Sequence, residues 1–313
     1  MAGQPASAAA GVLPVITGAP LTGVVLGSLS RAVIVGVTTA AGPRVVALLD
    51  QQAAGVPNGV RILGDTRFDD IRPGDSALVG ARKVQIGPLS VRVVRSWDSR
   101  VRSSALDPAF VAQLTAATIG YPLGVDQALI DHLQTALATG QDVPAAIHSV
   151  IGLGRGLTPG GDDVVAGLLT GLHAVGRHLM AHGIGEQALK NQTTALSADL
   201  LRLARDGHAC LEALAVITAL HRPDVPVTDA IDRLLSIGHT SGADLATGML
   251  IGLRFERVDD ATHFNAPWGL PRLGDPASDV PGGGRRGRYH QRAGGNGYPV
   301  EHRTGSGTGL LDP

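Results

Sequence analysis

A chain of 313 residues with 26 basic and 27 acidic side chains has a formal charge of −1, which excludes a polyanion-binding surface spread over the whole molecule, so nucleic acid is not expected as a partner. Cys210 is the lone cysteine, so disulfides and cysteine-rich metal sites are excluded too. No apolar run reaches about 18 residues and the N-terminal stretch lacks a basic leader, so neither a membrane span nor a signal peptide is expected, and a cytoplasmic protein is the default.

Residues 1–20 are rich in Ala, Gly, Ser and Pro with little to bury, and are expected to form a flexible N-terminus. Residues 21–104 have a β texture. The stretches 24–29, 31–38, 44–49, 60–63, 76–79 and 89–94 are short, rich in Val, Ile and Leu, and separated by Gly-Pro, Pro-Asn-Gly and Pro-Gly-Asp turns. This spacing predicts a small antiparallel β sheet or barrel.

Residues 105–256 predict an all-helical domain. A first helix opens at Asp107, and helical spacing continues over 125–138, 144–151, 162–180, 187–204, 210–220, 227–235 and 243–255. Beyond Arg257 the periodicity stops, and residues 257–313, with a basic glycine run at 282–288, are expected to form a disordered Gly/Arg/Pro-rich tail. The fold class is therefore α+β.

The most distinctive stretch is Gly-Leu-Gly-Arg-Gly-Leu-Thr-Pro-Gly-Gly-Asp-Asp at 152–163. Gly154, Gly156, Gly160 and Gly161 leave the backbone little side-chain cover, which suits amides that approach a ligand closely. Asp162 and Asp163 fall in the first turn of the following helix, where the dipole returns only about 0.3–1 kcal/mol per carboxylate. One acid would suffice as a cap, so the second is expected to have a partner elsewhere.

Residues 158–172 overlay residues 239–253 without a gap: Gly161, Asp163, Gly167, Gly171 meet Gly242, Asp244, Gly248, Gly252. We read this as an internal pseudo-repeat. Each glycine inside a helix costs about 1 kcal/mol relative to Ala, so close packing of the two helices through their glycine faces is expected to offset it. Both N-termini then meet at one end, and paired helix N-termini make an anion site. Thr158, Thr240, Ser241, Gly242 and Asp244 would surround it, with Arg155 as the loop's cation. Asp163 has its counterpart in Asp244, whereas Asp162 faces Ala243, so Asp162 is the carboxylate expected to face ligand or metal.

Other motifs fail on context. Gly152-x-Gly154 lacks the third glycine of a dinucleotide fingerprint, and no Gly-Lys-Ser/Thr follows the loop. Asp162 and Asp163 could hold Mg²⁺ through water, but no further acids cluster in sequence nearby. Ser241 lies outside any nucleophile-elbow motif, so covalent catalysis is not expected. His173 and His208 are read as ordinary packed or surface histidines.

The block at 152–163, Thr194-Ala-Leu-Ser197 with Leu200, Leu201, Ala204 and Gly207, and Ile237-Gly-His-Thr-Ser-Gly-Ala-Asp244 together resemble the AllH family over residues 20–255. Gly160 and Arg155 stand where that family often has Ser and Pro. The resemblance implies a subunit of an oxamate-type carbamoyltransferase in allantoin and purine nitrogen catabolism. Such an enzyme converts oxalurate and phosphate to oxamate and carbamoyl phosphate. Implied with it are a small anionic substrate of the carbamoyl phosphate, oxamate or oxalurate class and other transferase subunits as partners. On this basis Gly154, Arg155, Gly156, Thr158, Gly160, Gly161, Thr240, Ser241, Gly242 and Asp244 are substrate-binding candidates. His239, which could shuttle a nitrogen proton, joins Asp162 and Asp163 as catalytic candidates. The alternative is a non-catalytic small-anion binding or scaffold subunit.

Overall fold

A computed structural model describes residues 3–103, 105–220 and 227–255. The expected tail at 257–313 lies outside the described residues. No helix among those described is long and apolar enough to cross a membrane.

The front of the chain is a closed eight-stranded barrel. Its strands are β1 (Gln4–Ala9), β2 (Leu21–Ser28), β3 (Ala32–Thr39), β4 (Gly42–Leu49), β5 (Gly59–Ile62), β6 (Ser76–Gly80), β7 (Lys83–Ile86) and β8 (Leu89–Trp97). They close in the order β1-β5-β4-β3-β2-β6-β7-β8. Most neighbours are antiparallel, as expected, but β1 with β8 and β4 with β5 run parallel.

The expectation of a flexible terminus over 1–20 is corrected. β1 seals the barrel between β5 and β8, and a short helix, α1 (Leu13–Thr17), follows. Ala6, Ala8 and Ala9 are fully buried there. Small side chains fill a narrow seam as well as valine fills a wide one, yet they carry no β-branched signal in the sequence.

Alternation along the strands sends Val33, Val35, Val37, Val46 and Leu48 into the barrel interior. The opposite face of β3 and β4 is also apolar. Ile34, Val45, Ala47 and Leu49 form a second cluster against Leu157 and Leu196 of the helical region. The barrel and helical region lie within one compact unit. Asp199 fastens the same seam, fully buried and paired with Arg44 at 2.6 Å and Arg202 at 2.8 Å.

The helical region contains α2 (Pro108–Thr118), α3 (Gln127–Thr139), α4 (Val143–Val150), α5 (Gly160–Ala174), α6 (His178–Ala188), α7 (Ala195–Arg205), α8 (Leu211–Leu220), α9 (Thr228–Leu235) and α10 (Ser241–Leu253). Asp107 and Asp126 cap α2 and α3 by accepting from the amides of Ala109 and Ala128, both at 2.9 Å.

One expected helix over 162–180 is in fact two. Gly176 takes φ +77°, its amide donates to His173 O at 3.1 Å, and the Arg177 amide donates to Leu172 O at 2.8 Å. This pair of bonds closes α5 in a Schellman motif, after which the chain restarts as α6. The expected helix over 187–204 likewise divides, because Thr194 caps a new helix by accepting from the Ser197 amide at 3.1 Å.

At the centre α5 packs against α10 through glycine. A Cβ on Gly167 or Gly171 would lie under 3.0 Å from Leu245 O or Met249 O, and one on Gly248 or Gly252 would meet Val164 O or Leu168 O as closely. The contacts are reciprocal, and the helix axes approach more closely than any side chain would permit. The close packing expected from the four helical glycines is what the structure holds.

Candidate functional site

The path from α4 to α5 is a loop that folds onto itself. Gly152, Gly154 and Gly156 all take positive φ. The Gly152 amide donates to Asp162 Oδ1 at 2.8 Å, and the Gly161 amide donates to Leu153 O at 2.9 Å. A Cβ on Gly154 would lie 2.5 Å from Gly160 N, and one on Gly160 would lie 2.8 Å from Gly124 Cα. Gly154 and Gly160 thus make room for the protein's own backbone, whereas a Cβ on Gly156 would meet nothing within 4 Å.

The two acids at the start of α5 have separate tasks. Asp162, 2% exposed, is saturated: Oδ1 accepts from Gly152 and Oδ2 from the Thr193 hydroxyl. It ties the loop to the chain before α7 and also belongs to the wall of the cavity described below. Asp163 is 7% exposed, and its Oδ2 is buried with no hydrogen-bond partner among the described residues. Burial pushes the Asp163 carboxyl up to about 8. The nearby charges of Asp244 and Asp162 push in the same direction, while the hydroxyls of Ser241 and Thr158 hold it down only in part.

Asp244 occupies the matching position on α10 and is fully buried. It accepts from the Gly124 amide with both oxygens, at 2.9 and 3.2 Å. Burial raises its pKa, with Gly124 and the Thr240 hydroxyl opposing the shift. Thr158 Oγ1 lies 3.4 Å from Ser241 Oγ, so the starts of the two helices do meet.

Asp163 borders a cavity of about 210 Å³ between the barrel and the helices. The barrel contributes Ala54, Val56 and Pro57 from the β4–β5 connection. Asp163, Ala166 and Thr170 come from α5, Ser197, Leu201 and Ala204 from α7. Cys210 and Ala213 lie at α8, and Ser241 and Leu245 on α10. Ser197 is 1% exposed, and its hydroxyl has no partner among the described residues. His208 also lines the wall, its Nδ1 2.8 Å from Ser99 Oγ, which accepts from the Gly11 amide at 3.2 Å. Burial, with the Arg100 charge adding to it, lowers the His208 pKa and keeps that ring neutral at neutral pH. Burial pushes the Cys210 thiol up to about 12, so it is no nucleophile.

Of the residues expected at the site, Thr158, Asp162, Asp163 and Ser241 line this cavity. Gly154, Arg155, Gly156 and His239 are exposed and stand outside its wall, and Thr240 is half-buried beside Asp244. Gly160, Gly161 and Gly242 are buried against backbone. Ser197 and His208 are in the wall although neither was a candidate from sequence. Ser197 entered the sequence reading only within the family block at 194–197, and His208 as an ordinary packed or surface histidine.

Four amides at the helix starts are taken within the chain. Asp162 and Asp163 N–H donate to Pro159 O at 3.0 and 3.2 Å, Gly242 N–H to Ile237 O at 3.0 Å, and Asp244 N–H to Thr240 O at 2.9 Å. Nor does the described wall include a lysine or an arginine. Among the described residues no group of three or more His, Cys, Asp or Glu side chains could hold a metal ion.

Residues 150–253, which include the loop, α5, α7 and α10, match the family described as oxamate carbamoyltransferase subunit AllH. No solved structure matches the chain.

Proposed function

With an AllH domain at residues 150–253 as the premise, we propose that this protein is a subunit of an oxamate-type carbamoyltransferase and that the cavity beside α5 holds the carbamoyl end of the substrate. The observation that carries the reading is Asp163 Oδ2, buried in the cavity wall with no hydrogen-bond partner among the described residues. A buried polar atom without a partner costs about 1–3 kcal/mol, and a ligand that pairs with it recovers that cost.

In the phosphorolytic direction a phosphate oxygen attacks the carbamoyl carbon of oxalurate or a related ureido acid. The C–N bond breaks, and the electron pair goes to the departing amide nitrogen. Asp163, with a carboxyl at about 8, still holds its proton at neutral pH and gives it to that nitrogen. The products are carbamoyl phosphate and oxamate, and Asp163 is left ionised until it takes a proton back from water. The Ser241 and Thr158 hydroxyls orient the carbamoyl group. Proton transfer thus falls to Asp163, where sequence reasoning had favoured the exposed His239. The anionic reactant is held by partner subunits, in keeping with the occupied amides at the helix starts and a described wall without lysine or arginine. We read the reciprocal glycine contacts of α5 and α10 as the product of an internal repeat.

The test is turnover by the assembled subunits with wild type and Asp163→Asn. The variant should lose at least about a hundredfold in kcat, the usual contribution of a general acid, with helix content unchanged. Unaltered kcat sinks the reading. The apolar wall favours a second reading, a non-catalytic subunit that binds or scaffolds for its partners. That reading predicts ligand-dependent stabilisation of the isolated chain, with turnover by the partners unaffected by Asp163→Asn.

A further inference from the structure

Three helices present the cavity with the same order of side chains. On α5 Asp163 precedes Ala166, on α7 Ser197 precedes Leu201 and Ala204, and on α10 Ser241 precedes Leu245. In each the polar residue is in the first turn, and apolar residues follow three or four positions later. Thr170, further along α5, turns its hydroxyl back to Ala166 O at 2.9 Å and offers the cavity no free donor. The cavity is therefore polar where the helices begin and mostly hydrocarbon beyond, with the His208 ring also in its wall.

Two of its polar atoms, Asp163 Oδ2 and Ser197 Oγ, are buried and unpartnered among the described residues, each on a side chain more than nine-tenths buried. A bare oxyanion has no cationic partner in the described wall, and two more carboxylates, Asp162 and Asp244, stand close behind Asp163. A neutral carbamoyl group suits the arrangement in either protonation state of Asp163. Its carbonyl accepts from the acid, and its N–H donates to the carboxylate. An apolar cavity of about 150 Å³ holds benzene, so 210 Å³ accommodates a short hydrocarbon body together with one carbamoyl head.

We infer that the cavity recognises an uncharged carbamoyl compound, a urea or primary amide, with a compact hydrocarbon substituent, in preference to a small dicarbonyl anion. The inference rests on the site reading given above, in which the carbamoyl end lies beside Asp163, and replaces the ureido acid named there by an uncharged compound. Oxamate and oxalurate have no hydrocarbon body to bury against Leu201, Ala204, Ala213 and Leu245, whereas an alkylurea does.

The experiment is thermal unfolding of the full chain at neutral pH with butylurea, with valerate as the anion of similar length, and with oxamate. Butylurea at about 10 mM, ten times a millimolar Kd, should raise the Tm by a few degrees. Valerate and oxamate should leave it unchanged. Ala204→Leu fills the apolar end and should abolish the shift while its own Tm stays at or above that of wild type, with Ala213→Val serving the same purpose if the first variant does not fold. A shift by oxamate without one by butylurea overturns the inference and leaves the site reading standing. A shift by none of the three overturns both. A butylurea shift that persists in a folded, filled variant places binding elsewhere and overturns the inference alone.

Discussion

The starts of α5 and α10 are built on one plan and finished differently. Each has a glycine two positions ahead of a buried aspartate and a pair of glycines pressed against the other helix. At α10 the aspartate is closed off by the Gly124 amide, which reaches both oxygens. At α5 the matching oxygen of Asp163 is buried with no partner among the described residues, on a residue of the cavity wall. Packing thus accounts for the shared features, and one withheld hydrogen bond separates a structural acid from a candidate functional one.

The shared part should be the most costly to disturb. Gly248→Ala drives a Cβ into Val164 O, and Gly167→Ala does the same to Leu245 O. Neither carbonyl can retreat without breaking its own helix. Each substitution should cost about 3 kcal/mol, lowering Tm by roughly 6–12 °C for a chain of this size, and because the contacts are reciprocal the two losses should agree. Urea unfolding of both variants checks this. A loss in one and none in the other would show that the helices are not equivalent partners.

The two aspartates should respond in opposite directions. Asp244→Asn turns an amide toward Gly124 N–H or leaves one bond where there were two, and should cost about 1–3 kcal/mol. Asp163→Asn removes a carboxyl whose folded pKa, about 8, lies far above its ordinary value of 3.8. Between those values the folded state holds a proton that the unfolded state releases. Stability therefore falls as pH rises from about 4 to about 8 and levels off above. The asparagine variant lacks that fall. Above pH 8 it should exceed wild type by on the order of 1–3 kcal/mol, with the difference shrinking toward pH 4. Melting curves across that range decide it, and parallel pH profiles for the two proteins would mean that the acid is not buried and unpaired as described.

The legible part of this molecule was the part written in local pattern. Alternating Val and Ile marked most barrel strands, and the helical glycines foretold the contact of α5 with α10. β1 was hidden because Ala6, Ala8 and Ala9 carry no strand signal, and Gly176 was hidden because a glycine within an apolar helical run looks the same whether or not it takes positive φ. Sorting the acids was harder. What divides Asp162, Asp163 and Asp244 is a distant partner, Thr193 for the first and Gly124 for the last, and no periodicity announces a hydrogen bond spanning 31 or 120 residues. Symmetry in the sequence marked Asp163 as the residue shared with Asp244 and so drew attention to Asp162.

A smaller effect should come from the tether that frees Asp163 for the cavity. Thr193→Val deletes the hydroxyl that Asp162 Oδ2 accepts from, leaving a buried carboxylate oxygen short of one bond at a cost of about 1–2 kcal/mol. The butylurea shift should survive, since Asp163 itself is untouched. Loss of that shift without loss of stability would return Asp162 to the ligand.

The least effect is expected at the loop residues that looked most like chemistry. His239 and Arg155 are exposed and outside the cavity wall. His239→Ala and Arg155→Ala should each change stability by no more than about 0.5 kcal/mol, as solvent-facing substitutions do, and should leave the butylurea shift intact. Turnover in the assembled enzyme is the sharper measurement. An imidazole in solvent is poorly placed to protonate a nitrogen in a closed cavity, because a proton transfer needs about 2.6–3.2 Å or one intervening water. His239→Ala should therefore keep wild-type kcat where Asp163→Asn loses it. The opposite result, with His239 required and Asp163 dispensable, would move the reaction to the surface of the loop and leave the open end of α5 as a binding feature without chemistry.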